Sequence, residues 1–222
     1  MFTGKLRPNG FEFAACDECN QKTKMADLFA ALVGRVYPDS QSDIERNDIK
    51  KILAALSRNL PAVLLEMKIG RAGQKLARRD TMIVDDGGFL RLSGPIATEL
   101  LDIFAHKLGL ALHYEATGKV LPVGGGIATR VYSNVEAIQQ RIPSEIFKML
   151  PKPKTLRQGS WGVENQFSYS MSVTEDGKMG LSFASFRYSI SVVSVTAENI
   201  AAFETTDRPA SMNPRKPASL WK

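Results

Sequence analysis

The chain has 222 residues, 44% hydrophobic and 23% charged, with 29 Lys and Arg against 23 Asp and Glu and a pI near 9.3. That is enough chain for one large or two small domains whose core needs no disulfide or metal, in an ordinary globular composition. No stretch approaches the roughly 20 apolar residues that cross a bilayer, and no apolar run follows Lys5 and Arg7, so the expectation is a cytoplasmic protein, without membrane association, in which Cys16 and Cys19 are reduced.

The formal charge of +6 is unevenly spread. Lys68, Arg71, Lys75, Arg78 and Arg79 form one basic cluster, and Lys148, Lys152, Lys154 and Arg157 form another. Such clusters either hold phosphate-bearing partners, nucleic acid above all, or make solvated faces. Nothing in the sequence sets an oligomeric state.

In chain order, Arg7-Pro8-Asn9-Gly10 is turn-like, and Phe11-Glu12-Phe13-Ala14-Ala15 alternates briefly as a strand before running into Cys16. A helix is predicted to begin at Asn20, since Met25, Leu28, Phe29, Leu32, Val33 and Val36 recur at helical spacing up to Tyr37-Pro38. Ser42-Asp43-Ile44-Glu45 has the form of a capping box, with Ile44, Ile49, Ile52, Leu53 and Leu56 as the apolar stripe behind it. Pro61 opens a further short helix.

Asp85-Asp86-Gly87-Gly88 reads as a turn, and Ser93 as the cap of a helix lined by Ile96, Leu100, Ile103, Phe104 and Leu108. His106 and His113 share a face if that helix continues past Gly109, which weakens it. For both, a packed or surface position is the expected role rather than ligation. Lys119 to Pro122 is extended, Gly124-Gly125-Gly126 is a turn without the Gly-Lys-Ser/Thr continuation of a phosphate loop, and short helices follow at Val135–Gln140 and Pro143–Leu150.

After Trp161 the period changes to two. Val163, Phe167, Tyr169, Met171 and Val173 alternate with polar residues, Glu175-Asp176-Gly177-Lys178 supplies a hairpin turn, and Met179, Leu181 and Phe183 continue the pattern. It changes phase near Ala184-Ser185 and resumes with Phe186, Tyr188, Ile190 and Val192, which implies a bulge or a second turn. The tail from Thr205 is expected to be poorly ordered.

The residues that imply chemistry are Cys16-Asp17-Glu18-Cys19-Asn20, followed by Lys22 and Lys24. Two thiols three positions apart can bind one tetrahedral Zn²⁺ and supply half of a structural site. They can also be packed small residues, with Asn20 as a helix cap, or a redox dithiol, although the βαβ surroundings of a redox motif are absent.

This strand, thiol pair, Asn and helix resemble the C-terminal half of the HNH endonuclease motif, a ββα unit that grips a catalytic divalent metal and often carries a structural zinc between two Cys-x-x-Cys knuckles. The resemblance covers about twenty residues. It implies Cys16 and Cys19 as the second knuckle, Asn20 as the last ligand to Mg²⁺ or another hard cation, and Lys22 and Lys24 near the scissile strand. In that chemistry the metal stabilises charge on the phosphorane while a His takes a proton from water. The family's His pair and first knuckle should precede the second strand, yet the residues before Cys16 contain neither His nor a further Cys.

The reading is therefore an HNH-endonuclease-like protein, N-terminally truncated or degenerate and inactive as the chain stands. The alternative is a non-enzymatic basic nucleic-acid-binding protein that uses Arg71, Lys75, Arg78, Arg79 and the Lys148–Arg157 cluster. The expected fold is α+β: a partial zinc-knuckle unit at 1–38, a helical region at 39–158, an antiparallel hairpin or meander at 159–204, and the tail at 205–222.

Overall fold

The computed structural model describes residues 17–37, 42–67, 81–84, 89–158, 161–162 and 166–203. The fold is α+β as expected: N-terminal helices, then an antiparallel sheet of five strands packed against one long helix. In order the chain forms α1 (Asp17–Val33), α2 (Asp43–Asn59), α3 (Pro61–Glu66), the small hairpin β1 (Thr81–Ile83) and β2 (Phe89–Arg91), and then α4 (Pro95–Thr117). It continues through β3 (Gly126–Ser133), α5 (Asn134–Ile138), α6 (Ser144–Met149), β4 (Lys154–Thr155) and the two-residue pair β5 (Arg157–Gln158) and β6 (Trp161–Gly162). Strands β7 (Ser168–Val173), β8 (Met179–Phe186) and β9 (Ile190–Ala197) complete the sheet, in the order β3-β9-β8-β7-β4. A 3-10 turn, Ile200–Phe203, follows.

Helix α4 organises the rest. Its faces are both apolar, so it lies buried between α1 on one side and the sheet on the other. Ala97, Leu100, Leu101, Phe104, Ala105, Leu108 and Leu112 join one core with Phe29 and Val33 of α1, Ile52 and Leu56 of α2, and Ala184, Phe186, Ile190 and Val192 of the sheet. Phe104 and Phe167 both meet the Phe186 ring there. Burying each large side chain in this layer stabilises the fold by about 1.5–3 kcal/mol.

The caps differ in kind. Ser42 and Glu45 form the expected capping box of α2, and a second box, Ser133 with Glu136, starts α5. Ser93, however, does not cap α4; its hydroxyl accepts from Arg91 Nε, and Gly94 is the N-cap. The free amides of α4 are met instead by the Glu66 carboxylate at the end of α3, which accepts from Ile96 N at 3.2 Å and Ala97 N at 3.0 Å. Gly94 is required beside it, because a Cβ there would run into the Glu66 side chain.

Helix α4 also continues through Gly109, against the expected weakening. A Cβ at that position would lie 2.7 Å from Ile127 Cδ1 and 2.8 Å from Ser194 Cβ, so glycine is what lets helix and sheet approach. Helix α1 is already formed at Asp17, ahead of the start expected at Asn20, so Asn20 lies inside the helix and does not cap it. Ile44 and Leu53 are exposed, so the buried stripe of α2 is narrower than expected and centres on Ile52 and Leu56.

In the sheet, the change of phase near Ala184 is not a bulge, since β8 pairs with β9 in unbroken register from Met179↔Ala197 to Phe186↔Ile190. It arises because both faces of β8 are covered. Ser182, Ala184 and Phe186 turn toward α4, whereas Met179, Leu181 and Phe183 pack on a second cluster with Ile146 of α6, Val193 of β9 and Phe203. The second turn does exist, at Arg187-Tyr188-Ser189, and it leaves Tyr188 exposed. Strands β1 to β4 were not expected; β3 and β4 come from the stretch read as helical and pair into the main sheet.

That second turn is tied to the N-terminal helices. Arg187 adopts φ +48°, places its guanidinium over the Tyr37 ring and donates to Glu45 Oε1 at 2.8 Å. Tyr37 Oη donates to the same oxygen at 2.7 Å. Ser189 Oγ lies 3.3 Å from Gly34 O and 3.2 Å from Val36 O, joining the turn to the loop after α1.

Candidate functional site

The sequence places its chemistry at the start of α1. There Cys19 is half-buried and Asn20 is exposed, both within the first turn. Thr23, one turn on, is buried and its Oγ1 donates back to Cys19 O at 3.1 Å. Lys107 of α4 reaches across to Thr23 Oγ1 at 3.1 Å and to Asp27 Oδ2 at 2.6 Å, so the base of this turn is anchored on α4. Asn20 and Lys24 stand one turn apart on the exposed side. Lys22 pairs with Glu18 at 2.9 Å, and that pairing holds the Glu18 carboxyl below its ordinary range.

Cys16, Arg71, Lys75, Arg78 and Arg79 lie outside the described residues, as do the predicted strand at 11–15, the turn at 85–88 and the tail from Thr205. What the structure brings together from the motif is Cys19, Asn20, Lys22 and Lys24 within the first two turns of the described helix. Two donors are fewer than the four of a structural zinc or the set a hard catalytic cation needs. Among the described residues no three His, Cys, Asp or Glu side chains gather as a metal site.

The two histidines are not brought to this turn. Both are buried and face the sheet, whereas Lys107, beside His106, faces α1. His106 Nδ1 donates to Asp102 O at 2.6 Å and lies 3.3 Å from Thr129 Oγ1. His113 Nδ1 lies 2.9 Å from Thr196 Oγ1, and burial pushes its imidazole below the ordinary range, partly opposed by Glu198.

With Ser194 and Ser182, whose hydroxyls bond each other at 2.5 Å, these groups make a polar seam through the helix–sheet interface. At the His113 end the seam borders a partly open pocket beside Gly109 with room for only about 10 Å³, at the lower limit for one water and far below a substrate. It is a packing device. Sequence reasoning missed it, although polar residues on alternate positions of β9 between Val192 and Ala197 were its signal.

Of the second basic cluster, Lys148 on α6, Lys152 in the loop and Lys154 on β4 are exposed. No helix among the described residues is long and apolar enough to cross a membrane. Compared with protein-family models, curated proteins and solved structures, the chain matches none.

Proposed function

We propose that the chain carries the C-terminal half of an HNH-endonuclease-like site, with Cys16 and Cys19 as one zinc knuckle and Asn20 as a neutral oxygen ligand for a divalent cation. The observation that carries this reading is that, in the described part of α1, Cys19 is half-buried while Asn20, Lys22 and Lys24 are exposed to solvent. A complete site of that family would supply Lewis-acid stabilisation of a phosphorane. With two donors among the described residues, no hydrolytic step is assigned to this chain alone.

Zinc titration with a chromophoric chelator as competitor, followed by a plasmid-nicking assay in Mg²⁺ or Mn²⁺, tests the reading. The expectation for this half-site is weak, thiol-dependent zinc binding that Cys16→Ser or Cys19→Ser abolishes, and no nicking by the chain itself. Zinc affinity unchanged by either substitution would remove the knuckle and with it the family reading.

A second reading, a non-enzymatic nucleic-acid-binding protein, is favoured by one further observation: Lys148, Lys152 and Lys154 are all exposed and none joins an ion pair within 4 Å among the described residues. Steeply salt-dependent binding without metal-dependent cleavage is its signature.

A further inference from the structure

Between positions 141 and 162 the chain carries five basic residues and one acid, Glu145. The structure gives this charge a path. Ile142, Ile146 and Leu150 turn inward onto the face of the sheet opposite α4. Residues 151–155 are all exposed, and Leu156 is buried in the other core, beside α4. The connection therefore wraps around the β7 side of the sheet from one face to the other, with Lys148, Lys152 and Lys154 along its outer surface.

The wrap also carries a ring. Phe147 meets Phe183 edge-on, at a centroid distance of 5.0 Å and an interplanar angle of 71°, yet 49% of its surface stays exposed. Met149 beside it is 58% exposed. An apolar ring held by its neighbour and bordered by exposed lysines offers what a flexible phosphodiester strand needs: a π-face for a base and cations for successive phosphates. A duplex keeps its bases stacked inside and could use only the lysines.

We propose that the α6–β4 wrap is a contact surface for single-stranded nucleic acid, with Phe147 stacking a base and Lys148, Lys152 and Lys154 binding its phosphates. This rests on the nucleic-acid-binding reading and is independent of the metal reading. Lys154 on an edge strand also discourages pairing with another sheet, and the apolar ring could meet a second copy of the chain. The test separates these roles.

Fluorescence anisotropy of a labelled strand of about 15 thymidines, against the matching duplex, is measured at about 50 and about 200 mM salt. The single strand is expected to bind more tightly. Lys148→Ala/Lys152→Ala/Lys154→Ala should weaken it about tenfold or more at the lower salt and reduce the salt slope by about 2. Phe147→Leu, which keeps an apolar contact to Phe183, should weaken the single strand about tenfold and leave the duplex unchanged. Lys50→Ala/Lys51→Ala on the exposed side of α2 serves as the control.

Binding that survives the triple substitution overturns the wrap while leaving the binding reading intact. Absence of binding to either nucleic acid overturns both. Sedimentation that reveals a dimer dispersed by Phe147→Leu assigns the ring to self-association and overturns the proposal.

Discussion

The guanidinium of Arg187 lies 3.9 Å from the centre of the Tyr37 ring, and both side chains end on one carboxylate oxygen of Glu45. A residue in the turn before β9 thereby locks the loop after α1 to the first turn of α2. Arg187→Ala should cost about 1–3 kcal/mol in urea unfolding, since it removes the cation from a half-buried carboxylate. Arg187→Gly loses the same contacts but relaxes the left-handed backbone, so it should be the more stable of the two variants by about 1 kcal/mol. Equal stabilities would mean that the turn carries no strain.

The Glu45 carboxyl at the centre of that cluster has a testable titration. Burial raises it, but hydrogen bonds from Tyr37, Ser42 and Arg187 outweigh burial and hold it below its ordinary value of 4.5. A depressed folded value means stability that is present above 4.5 and lost as pH falls through the folded value. Glu45→Gln should therefore be less stable than the parent at neutral pH, with the gap closing below about pH 4.5. Urea midpoints across the acid range read this directly.

His113 titrates in a higher window. Its folded value is lowered from 6.5 by burial against β9, so the unfolded chain takes up the proton first. Stability should be complete above pH 6.5 and decline as pH falls below it. His113→Gln should lose this decline whatever its absolute stability. A thermal midpoint that falls equally in both proteins between neutral and mildly acid pH would contradict it.

Gly109→Ala tests the helix–sheet approach. Alanine is the better helix former by about 1 kcal/mol, yet its Cβ would press on Ile127 and Ser194. Overpacking of a tight interface costs about 1–3 kcal/mol, so the expected net effect is destabilisation. A more stable variant would show that the interface yields easily.

Removing Glu66 should loosen the start of α4. Glu66→Ala leaves Ile96 N and Ala97 N without their acceptor, and loss of a cap costs about 0.5–2 kcal/mol. Faster hydrogen exchange confined to the first turn of α4 distinguishes a capping role from a general loss of packing.

Features with local causes were legible in the sequence. The Ser42–Glu45 box, Pro61 at a helix start, the apolar stripe of α1 and the alternation of β7 each depend on residues a few positions apart. The α4 cap was not legible, because Glu66 is distant in sequence and no local pattern ties it to Gly94. Ser93 was the better local choice and lost to a carboxylate supplied by another helix. The alternation of β8 misled for a related reason: it reports which residues are apolar, not which of two covered faces they join. Of the candidate site, a helix at Asn20 could be read, but Cys19 was placed in the turn before it and lies inside the helix. The two histidines were read as packed or surface groups rather than ligands, but their burial against Thr129 and Thr196 needs the sheet.

Strand β9 sits between β3 and β8 and is the last strand of the sheet in sequence among the described residues. During synthesis β3 therefore emerges long before its partner. Until residues 190–197 leave the ribosome, β3 has no described neighbour in the sheet, and the wall against which α4 buries His106, Gly109 and His113 is incomplete. Such late, long-range pairing slows folding and leaves apolar strands open to wrong partners in the meantime. Nascent chains stopped before β9 should be protease-sensitive throughout the α4 region, and those extended beyond it protected.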